Sequence, residues 1–271
     1  MDALVVGAGA MGRWLGQALR DDAPRSVSVA FVDPDRSAAH EAADALGGRV
    51  VDPAGEDTNT DGEEATTAEA DTFDVVCIAV PLPAASDAIA AYADRAEQAI
   101  VDVTGQMAEP LAAMREHALD RERASFHPLF APESEPGNVP VVVDEDGPAV
   151  TMVRDTFVAR ENNVFETTAA EHDEAMETVQ ARTHAAVLAF GLAAEPVDPA
   201  FHTTVSEPLA ELVEQVTGSE PRVYADVQAA FDGAEDVVAA AQEIAAADPD
   251  TFEGIYRRIG EQASAEREQD R

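Results

Sequence analysis

An α/β fold, with a doubly wound, mostly parallel sheet followed by an all-helical C-terminal domain, is indicated by two features of this 271-residue sequence. Short apolar runs alternate with helical patterns through the first half, which is typical of a parallel sheet covered by helices on both faces. From Thr168 onward the apolar residues keep a helical spacing, and Gly and Pro separate the segments. We therefore predict two domains, residues 1–167 and residues 168–271.

The predicted strands are continuous apolar runs, as expected of strands buried on both faces. They are Ala3–Val6, Val27–Val32, Phe73–Val80 and Ala99–Val103, with Val139–Val143 and Val164–Phe165 finishing the sheet. Between them, helices are predicted at Met11–Arg20, Ser37–Leu46 and Ala84–Glu97. The acidic stretch Asp52–Asp71 is predicted to be a surface loop. The second domain has five helical segments: Ala169–Leu192, Ala200–Thr217, Arg222–Phe231, Ala234–Ala247 and Thr251–Ala265.

Residues 5–12 read Val-Val-Gly-Ala-Gly-Ala-Met-Gly, a G-x-G-x-x-G fingerprint that follows a predicted strand and opens a predicted helix. This context is typical of a Rossmann-type dinucleotide-binding domain. Gly7 allows a sharp turn after the strand, Gly9 lets the backbone approach a pyrophosphate, and Gly12 lets helix and strand pack closely. The phosphates would then meet backbone amides at the helix N-terminus, where Ala10 and Met11 lie.

Asp33, at the end of the second predicted strand, favours NAD over NADP as the cofactor. A carboxylate at this position accepts hydrogen bonds from the adenosine ribose and repels a 2′-phosphate. Arg36 follows closely and either stacks on the adenine or reaches a phosphate, or is a solvated arginine at a helix start. Val80 and Pro81 follow a later strand and are predicted to line the crevice beside the nicotinamide.

The composition is strongly acidic: 54 Asp and Glu against 17 basic residues, all of them arginine, give a net charge of −37. The acidic residues are spread between apolar segments, which indicates an acidic surface rather than a disordered tail. A lysine-free surface of this kind predicts adaptation to a salt-rich cytoplasm, as in a halophilic archaeon, where screening weakens self-repulsion. The same charge argues against nucleic acid and anionic membranes as partners.

No apolar run reaches membrane-spanning length and no charged-then-apolar leader opens the chain, which predicts a soluble, cytoplasmic protein. The single cysteine, Cys77, falls in an apolar run and is predicted to be a reduced core residue. No metal site is predicted, because the histidines lack ligand spacing and partner cysteines. His40, His117, His172 and His202 are interpreted as surface or structural residues.

Three segments resemble the prephenate and arogenate dehydrogenase family. They are the Gly7/Gly9/Gly12 fingerprint, the run Phe-His-Pro-Leu-Phe-Ala-Pro at 126–132, and Glu171-His172-Asp173 with Met176, Gln180, Thr183 and His184. A fourth segment, residues 219–228, resembles the family more weakly. Together they span most of the chain in the family's order. Many dehydrogenases share the fingerprint, whereas the second and third segments are fairly specific.

This resemblance implies a Rossmann domain followed by a helical domain that forms an extensive homodimer. It implies oxidative decarboxylation of a cyclohexadienyl acid, in which hydride leaves the hydroxyl-bearing ring carbon for NAD and carbon dioxide departs as the ring becomes aromatic. His127 is similar to the family's catalytic histidine, which in its neutral form accepts the hydrogen of that hydroxyl. His184 resembles a histidine that lines the substrate pocket.

The chain departs from the family's pattern at two places. The family often has Asp-x-x-Ser-x-Lys where residues 102–107 read Asp-Val-Thr-Gly-Gln-Met. Gly105 thus replaces the serine that would steady the histidine and substrate, and Thr104 is the adjacent candidate hydroxyl. The arginine expected to bind the substrate carboxylate corresponds to Gln215 in an ungapped comparison. A dianionic substrate needs fixed cations, and the candidates are Arg182, Arg222, Arg257 and Arg258.

These observations leave several functional hypotheses. An NAD-dependent prephenate dehydrogenase is favoured, and an arogenate dehydrogenase, whose substrate carries an ammonium in place of the keto group, fits the same residues. A catalytically silent NAD-binding paralogue, acting as a sensor or partner, is suggested by Gly105 and Gln215. A β-hydroxyacid dehydrogenase is disfavoured, since such enzymes usually depend on a catalytic lysine and this sequence contains none.

Overall fold

The structure is a computed structural model that describes residues 1–53 and 71–269, with side chains up to residue 265. The predicted acidic loop Asp52–Asp71 lies outside these residues except at its ends. The chain forms two compact units, Met1–Ala175 and Met176–Arg271. The domain boundary between residues 167 and 168 stays a prediction.

The described part of the first unit contains one eight-stranded sheet. Its strands are β1 (Asp2–Val6), β2 (Ser28–Val32), β3 (Arg49–Val50), β4 (Phe73–Ile78), β5 (Ala96–Asp102), β6 (Glu122–Phe126), β7 (Asn138–Glu145) and β8 (Asn163–Glu166). The spatial order is β3-β2-β1-β4-β5-β6-β7-β8, and neighbours pair in parallel except β6 with β7. Because the chain crosses from β3 back past β1 to β4, the sheet is doubly wound, as predicted.

Six helices accompany the sheet: α1 (Ala10–Asp22), α2 (Arg36–Leu46), α3 (Ala85–Tyr92), α4 (Ala108–His117), α5 (Pro148–Ala159) and α6 (Ala169–Met176). Successive strand residues point to opposite faces of the sheet, so each face has its own core. Ala3 and Val5 of β1 join the cluster formed with α1, α2 and α5. Leu4 and Val6 join the cluster formed with α3 and α4. The layered α/β fold is therefore confirmed.

Cys77 is buried in the middle of β4, which confirms the predicted core position. Burial raises the pKa of its thiol to about 12, so the side chain is a neutral packing group.

Among the described helices, none is both long enough and apolar enough to cross a membrane.

The described residues of the second unit form helices joined by short connections, with no strand among them. After a π-helical segment at Glu177–Arg182, it contains α7 (Thr183–Ala193), α8 (Ser206–Thr217), α9 (Pro221–Ala230), α10 (Ala234–Ala246) and α11 (Pro249–Gln269). The predicted helix Ala200–Thr217 is interrupted, because a short 3₁₀ helix covers Pro199–Phe201 and α8 begins only at Ser206. The Ser206 hydroxyl accepts from the Thr203 N–H at 2.8 Å and the Thr203 hydroxyl accepts from the Ser206 N–H at 3.1 Å, and such reciprocal bonds start a helix.

Four elements lie where the sequence analysis predicts neither strand nor helix: β3, α4, β6 and α5. The predicted helix Ala84–Glu97 is also too long, because α3 ends at Tyr92 and β5 begins at Ala96. The other predicted elements of the described residues agree with the structure to within a few residues, which is the usual uncertainty of element ends.

Candidate active site

The carboxyl ends of four parallel strands place the predicted site residues along one edge of the sheet. Gly7 follows β1, Val80 comes shortly after β4, Thr104 and Gly105 follow β5, and His127 directly follows β6. Ligands of open α/β sheets bind outside this edge, where the strand order changes direction. The sequence predictions for these residues therefore converge on one place in the first unit.

The glycine fingerprint forms a tight strand-to-helix turn. Gly7 has a φ of +101°, which favours glycine, and a Cβ atom there would lie 2.3 Å from the carbonyl oxygen of Ala79. A Cβ at Gly12 would lie 1.9 Å from the carbonyl oxygen of Gly7. Both glycines are therefore required for the close approach of α1 to β1 and β4.

Gly9 differs from the other two glycines because a Cβ atom there would meet nothing within 4 Å. It precedes α1, and no side chain caps that helix N-terminus. The amides of the first turn, where Ala10 and Met11 lie, are thus not used by a capping side chain, and the helix dipole favours an anion there. This arrangement fits the pyrophosphate of a dinucleotide.

Asp33 links the end of β2 to the glycine turn. Its Oδ2 accepts from the Ala8 N–H at 2.7 Å and its Oδ1 accepts from the Asp35 N–H at 2.8 Å. Each carboxylate oxygen can accept a further hydrogen bond, so the side chain is oriented and can still bind a ribose hydroxyl. Arg36 donates to Asp52 at 2.9 Å in an exposed ion pair at the start of α2.

His127 is buried, with 7% of its surface exposed, and its ring is held by a second histidine. Its Nδ1 lies 2.9 Å from Nε2 of His172, which is itself 3% exposed. Burial, together with the neighbouring His172, lowers the pKa of His127 to about 3. The imidazole is therefore neutral at physiological pH, as a hydrogen-bond acceptor must be.

Asp173 completes the chain of contacts behind His127. Its Oδ1 lies 2.8 Å from His172 Nδ1, and its two oxygens accept from the N–H groups of Met107 and Ala108, each at 3.1 Å. Burial alone would raise the pKa of Asp173, but these hydrogen bonds outweigh it and lower the pKa. An ionised Asp173 thus anchors the N-terminus of α4, where a negative charge is favoured.

Gly105 lies beside the outer nitrogen of His127. A Cβ atom at Gly105 would be 3.5 Å from His127 Nε2 and 3.3 Å from a methyl group of Leu82. The glycine therefore leaves room next to Nε2 that the family's serine would occupy. The backbone of the first unit brings this position and His127 together, as the sequence analysis predicts.

Thr104 is buried and its hydroxyl is directed at Asp102. Its Oγ1 donates to Asp102 Oδ2 at 2.6 Å, and its N–H donates to the same oxygen at 2.9 Å. Burial raises the pKa of Asp102 to about 6, although the Thr104 and Ser125 hydroxyls and His172 act in the opposite direction. Thr104 thus orients a buried carboxyl, and its hydroxyl hydrogen is already donated.

The loop after His127 is hydrogen-bonded to α1 through Glu135. Glu135 accepts from the Trp14 indole N–H at 2.9 Å, from Arg160 Nε at 2.9 Å and from Asn162 Nδ2 at 2.8 Å. Trp14 also stacks on Phe157 of α5 at 5.3 Å between ring centroids. The segment that carries His127 is therefore fixed to the helix that begins at the glycine fingerprint.

The other three predicted substrate residues belong to the second unit. His184 lies on α7, half-buried against Tyr224 at 4.7 Å between rings, and burial lowers its pKa. Its Nδ1 is buried and has no hydrogen-bond partner within the described residues. Gln215 on α8 and Arg222 on α9 are exposed, and Arg222 pairs with Asp226 at 2.8 Å.

The candidate carboxylate-binding arginines each have an acidic partner within the second unit. Arg182 donates to Asp236 at 2.7 Å and to Glu177 at 3.2 Å. Arg257 is 3.6 Å from Glu253, and Arg258 is 3.0 Å from Glu243. These ion pairs hold the guanidinium groups at the surface and give no support to any of them as the substrate anchor.

His172, which the sequence analysis interprets as a surface or structural residue, is buried, and its imidazole contacts the catalytic candidate. His172 is 45 residues from His127 in the chain, so only the fold brings them together. The motif Glu171-His172-Asp173 could have indicated the contact, since it belongs to the segments that carry the family resemblance. His40, His117 and His202 are exposed, in line with the sequence interpretation.

The fold and the site define a Rossmann-type dehydrogenase. The first unit combines the strand order 3-2-1-4-5-6, the glycine turn and a neutral buried imidazole at the carboxyl edge of the sheet. Within the described residues, no cluster of three or more His, Cys, Asp or Glu side chains is arranged to hold a metal ion.

Comparison with known proteins identifies the family. A 4-amino-4-deoxyprephenate dehydrogenase from Streptomyces pristinaespiralis is 33% identical over 274 residues, covering 94% of this chain and 88% of the relative. A family profile described as ketopantoate reductase PanE/ApbA matches residues 3–104, from β1 to the turn after β5. The chain belongs to the prephenate dehydrogenase family, as the first of these matches shows.

Two solved structures share the fold along the whole chain. Prephenate dehydrogenase from Aquifex aeolicus, in complex with hydroxyphenyl propionate and NAD+, has a TM-score of 0.64 at 15% identity, covering 100% of this chain and 93% of that chain. Synechocystis arogenate dehydrogenase has a TM-score of 0.60 at 14% identity and covers all of both chains. At these identities the likeness shows the fold alone.

Proposed function

We propose that this protein oxidises prephenate to 4-hydroxyphenylpyruvate with NAD, in an oxidative decarboxylation. The observation that carries the proposal is the neutral, buried imidazole of His127 at the sheet edge where the glycine turn also lies. Membership of the prephenate dehydrogenase family supports the same reaction. We place His127 in the catalytic role, with Gly105 and Thr104 near it.

His127 accepts the hydrogen of the hydroxyl at the ring carbon that is oxidised. Loss of hydride from that carbon makes the hydroxyl strongly acidic, so an acceptor at hydrogen-bond distance lowers the barrier. A positioned base of this kind contributes about 10²–10⁴-fold in rate. Bound NAD supplies the hydride acceptor. Departure of carbon dioxide then leaves an aromatic ring.

NAD rather than NADP is the proposed cofactor. The carboxylate of Asp33 is oriented by two backbone N–H groups at the end of β2, and an anion there disfavours a 2′-phosphate. Arg36, the residue that would attract such a phosphate, is engaged with Asp52. The glycine turn, Val80 and Pro81 would hold the remainder of the cofactor.

A cyclohexadienyl acid with an amino group in place of the ring hydroxyl is the second candidate substrate. The relative at 33% identity is a 4-amino-4-deoxyprephenate dehydrogenase. An amine N–H can donate to His127 as a hydroxyl does, and Gly105 leaves space beside the imidazole nitrogen. Arogenate, which differs from prephenate away from the reacting carbon, is a third substrate to compare.

We further propose a homodimer formed through the helical unit, in the salt-rich cytoplasm of a halophile. Large apolar side chains of that unit, namely Leu192, Phe201, Val205 and Tyr256, are between 72% and 90% exposed, and exposed apolar patches mark interaction surfaces. The net charge of −37 without lysine supports the high-salt setting.

The test is NADH formation by the purified protein in molar salt with prephenate, arogenate and 4-amino-4-deoxyprephenate as separate substrates. We expect the highest kcat/KM with prephenate, and a preference for NAD over NADP that Asp33→Ser reduces. Turnover of the amino compound alone would replace prephenate with the second candidate. NAD binding without turnover of any of the three would establish the silent paralogue instead.

A further inference from the structure

Three side chains of the first unit form a continuous hydrogen-bonded line that ends at the candidate catalytic nitrogen. Asp173 Oδ1 is 2.8 Å from His172 Nδ1, and His172 Nε2 is 2.9 Å from His127 Nδ1. His127 and His172 are both buried, whereas the Asp173 side chain is 19% exposed. The line therefore runs from the partly exposed start of α4 into the site.

The direction of the hydrogen bonds follows from Asp173. This carboxylate also accepts two backbone N–H groups, and its hydrogen bonds lower its pKa, so it is ionised and can only accept. His172 must then carry a hydrogen on Nδ1. When His172 is neutral, its other nitrogen is an acceptor, so His172 Nε2 accepts from His127 Nδ1–H. His127 consequently presents a lone pair at Nε2.

We propose that His172 and Asp173 are positioning residues that fix His127 in the Nδ1–H tautomer and hold the positive charge when Nε2 takes the substrate's proton. The proposal rests on the proposed function for its chemical step, but the tautomer is a property of the free protein. His127 Nε2 is the nitrogen next to Gly105, 3.5 Å from where a Cβ atom would lie.

The substrate's hydroxyl proton moves to the protein during hydride transfer and returns to the substrate oxygen afterwards. As hydride leaves the ring carbon, the hydroxyl proton moves to His127 Nε2 and the Nδ1 proton moves to His172 Nε2. The charge then lies on His172, in direct contact with the carboxylate of Asp173, and His127 stays neutral. When the bond to the ring carboxylate breaks and its electron pair completes the aromatic ring, the proton returns to the oxygen. No proton is gained or lost overall.

The location of the charge on His172 has an electrostatic reason. Burial and the neighbouring imidazole disfavour a cation on His127 itself, as its lowered pKa shows. Asp173 from α6 and Asp102 from β5 are the carboxyl groups that interact with His172. An imidazolium paired with an ionised carboxylate costs much less in a buried site than an isolated one.

The experiment compares His172→Leu with His172→Gln. Leucine removes the acceptor for His127 Nδ1–H, whereas the glutamine amide oxygen can still accept that hydrogen but cannot become a cation. The exposed residue His117, on α4, provides the matched control His117→Gln. Ring ¹⁵N chemical shifts report the tautomer of His127, assigned from the His127→Asn spectrum, and steady-state kinetics report kcat and KM.

We expect native protein and His172→Gln to keep the Nδ1–H tautomer, and His172→Leu to lose it. Relative to native, kcat should fall roughly 100-fold in His172→Leu and roughly tenfold in His172→Gln, with KM within about threefold. The acid limb of the kcat pH profile should move in both variants. His117→Gln should match native protein.

The proposal is overturned if His172→Leu retains the native tautomer, or if its kcat stays within about twofold of native while only its thermal stability falls. Asp173→Asn provides a second test that leaves both imidazoles in place, and an unchanged acid limb in that variant would also overturn the proposal. Failure of the proposed function has a different signature, because native protein would then turn over no cyclohexadienyl acid although the tautomer result is unaffected.

Discussion

The titration of the buried Asp102 carboxyl should make the free energy of unfolding depend on pH. Its pKa is raised from 3.8 to about 6 in the folded protein, chiefly by burial. The folded state therefore binds this proton more tightly than the unfolded chain does. Its contribution to stability is fully present below pH ~4 and is lost as pH rises through about 6.

The substitution Asp102→Asn should remove the loss of stability that native protein shows as pH rises through about 6. The amide oxygen can still accept from the two Thr104 donors, so the local turn is kept. Above pH ~7 the free energy of unfolding should exceed that of native protein by up to about 3 kcal/mol, while near pH ~4 the two proteins should agree. Denaturant unfolding at both pH values measures this. An equal difference at the two pH values would contradict the assigned pKa.

Substitutions at Gly105 test whether a hydroxyl beside His127 improves substrate binding. Gly105→Ser places a hydroxyl beside His127 Nε2, where one hydrogen bond to the substrate is worth about 0.5–1.5 kcal/mol. We expect KM for prephenate to fall by roughly 2- to 10-fold, with Gly105→Ala as the control for volume alone. An equal effect of both variants would show that the hydroxyl is not used.

His127 could be predicted from the sequence because its neighbours at 126–132 resemble a family motif. The contact with His172 could not be predicted, because the two histidines are 45 residues apart and only the fold brings α6 close to the residue that follows β6. The direction of the Thr104 hydroxyl also depends on backbone geometry, since its partner Asp102 is only two residues away and buried.

At the start of α1, two glycines that look equivalent in the sequence have different requirements. A Cβ at Gly12 would collide with a backbone carbonyl at 1.9 Å, so Gly12→Ala should lower the free energy of unfolding by about 3 kcal/mol or more. A Cβ at Gly9 meets nothing within 4 Å, so Gly9→Ala should be as stable as native protein to within about 1 kcal/mol.

The same two variants separate folding from cofactor binding. Gly9→Ala should weaken NAD binding at least roughly tenfold, because its methyl group would occupy the approach to the pyrophosphate. Denaturant unfolding and titration with NAD measure the two effects. A Gly9→Ala protein that binds NAD normally would place the cofactor elsewhere.

The elements that the sequence analysis misses have identifiable causes. Pro110 looks like a helix breaker, but it lies in the first turn of α4, where proline is tolerated. β6 contains a charged residue, Arg123, that looks exposed in the sequence. In the structure Arg123 is buried, paired with Asp144 at 2.8 Å and bonded to backbone carbonyls. The apolar residues of α5 keep a helical spacing and could have been recognised.

The two units differ in how well their sequences define them. The central strands of the first unit are buried on both faces, so continuous apolar runs predict most of them. The helical unit exposes several large apolar side chains. Helix existence is predictable there from spacing, but the surface that each helix covers is not.

The exposed apolar side chains of the helical unit lead to a prediction about the proposed dimer. Leu192→Glu, on α7, should raise the dissociation constant of the proposed dimer at least roughly tenfold, because a charge would enter an apolar interface. Leu119→Glu, at a position 70% exposed in the first unit, is the control. Light scattering during size-exclusion chromatography in molar salt gives the mass. A native monomer, or equal behaviour of both variants, would contradict a dimer through the helical unit.

The most direct measurement is the rate of NADH formation from prephenate by His127→Asn, with NAD binding measured on the same sample. The amide side chain cannot act as a base at neutral pH, so kcat should fall by about 10²–10⁴-fold while the affinity for NAD stays within about twofold. A variant that retains kcat within about threefold of native protein would show that this imidazole does not accept the substrate's hydrogen.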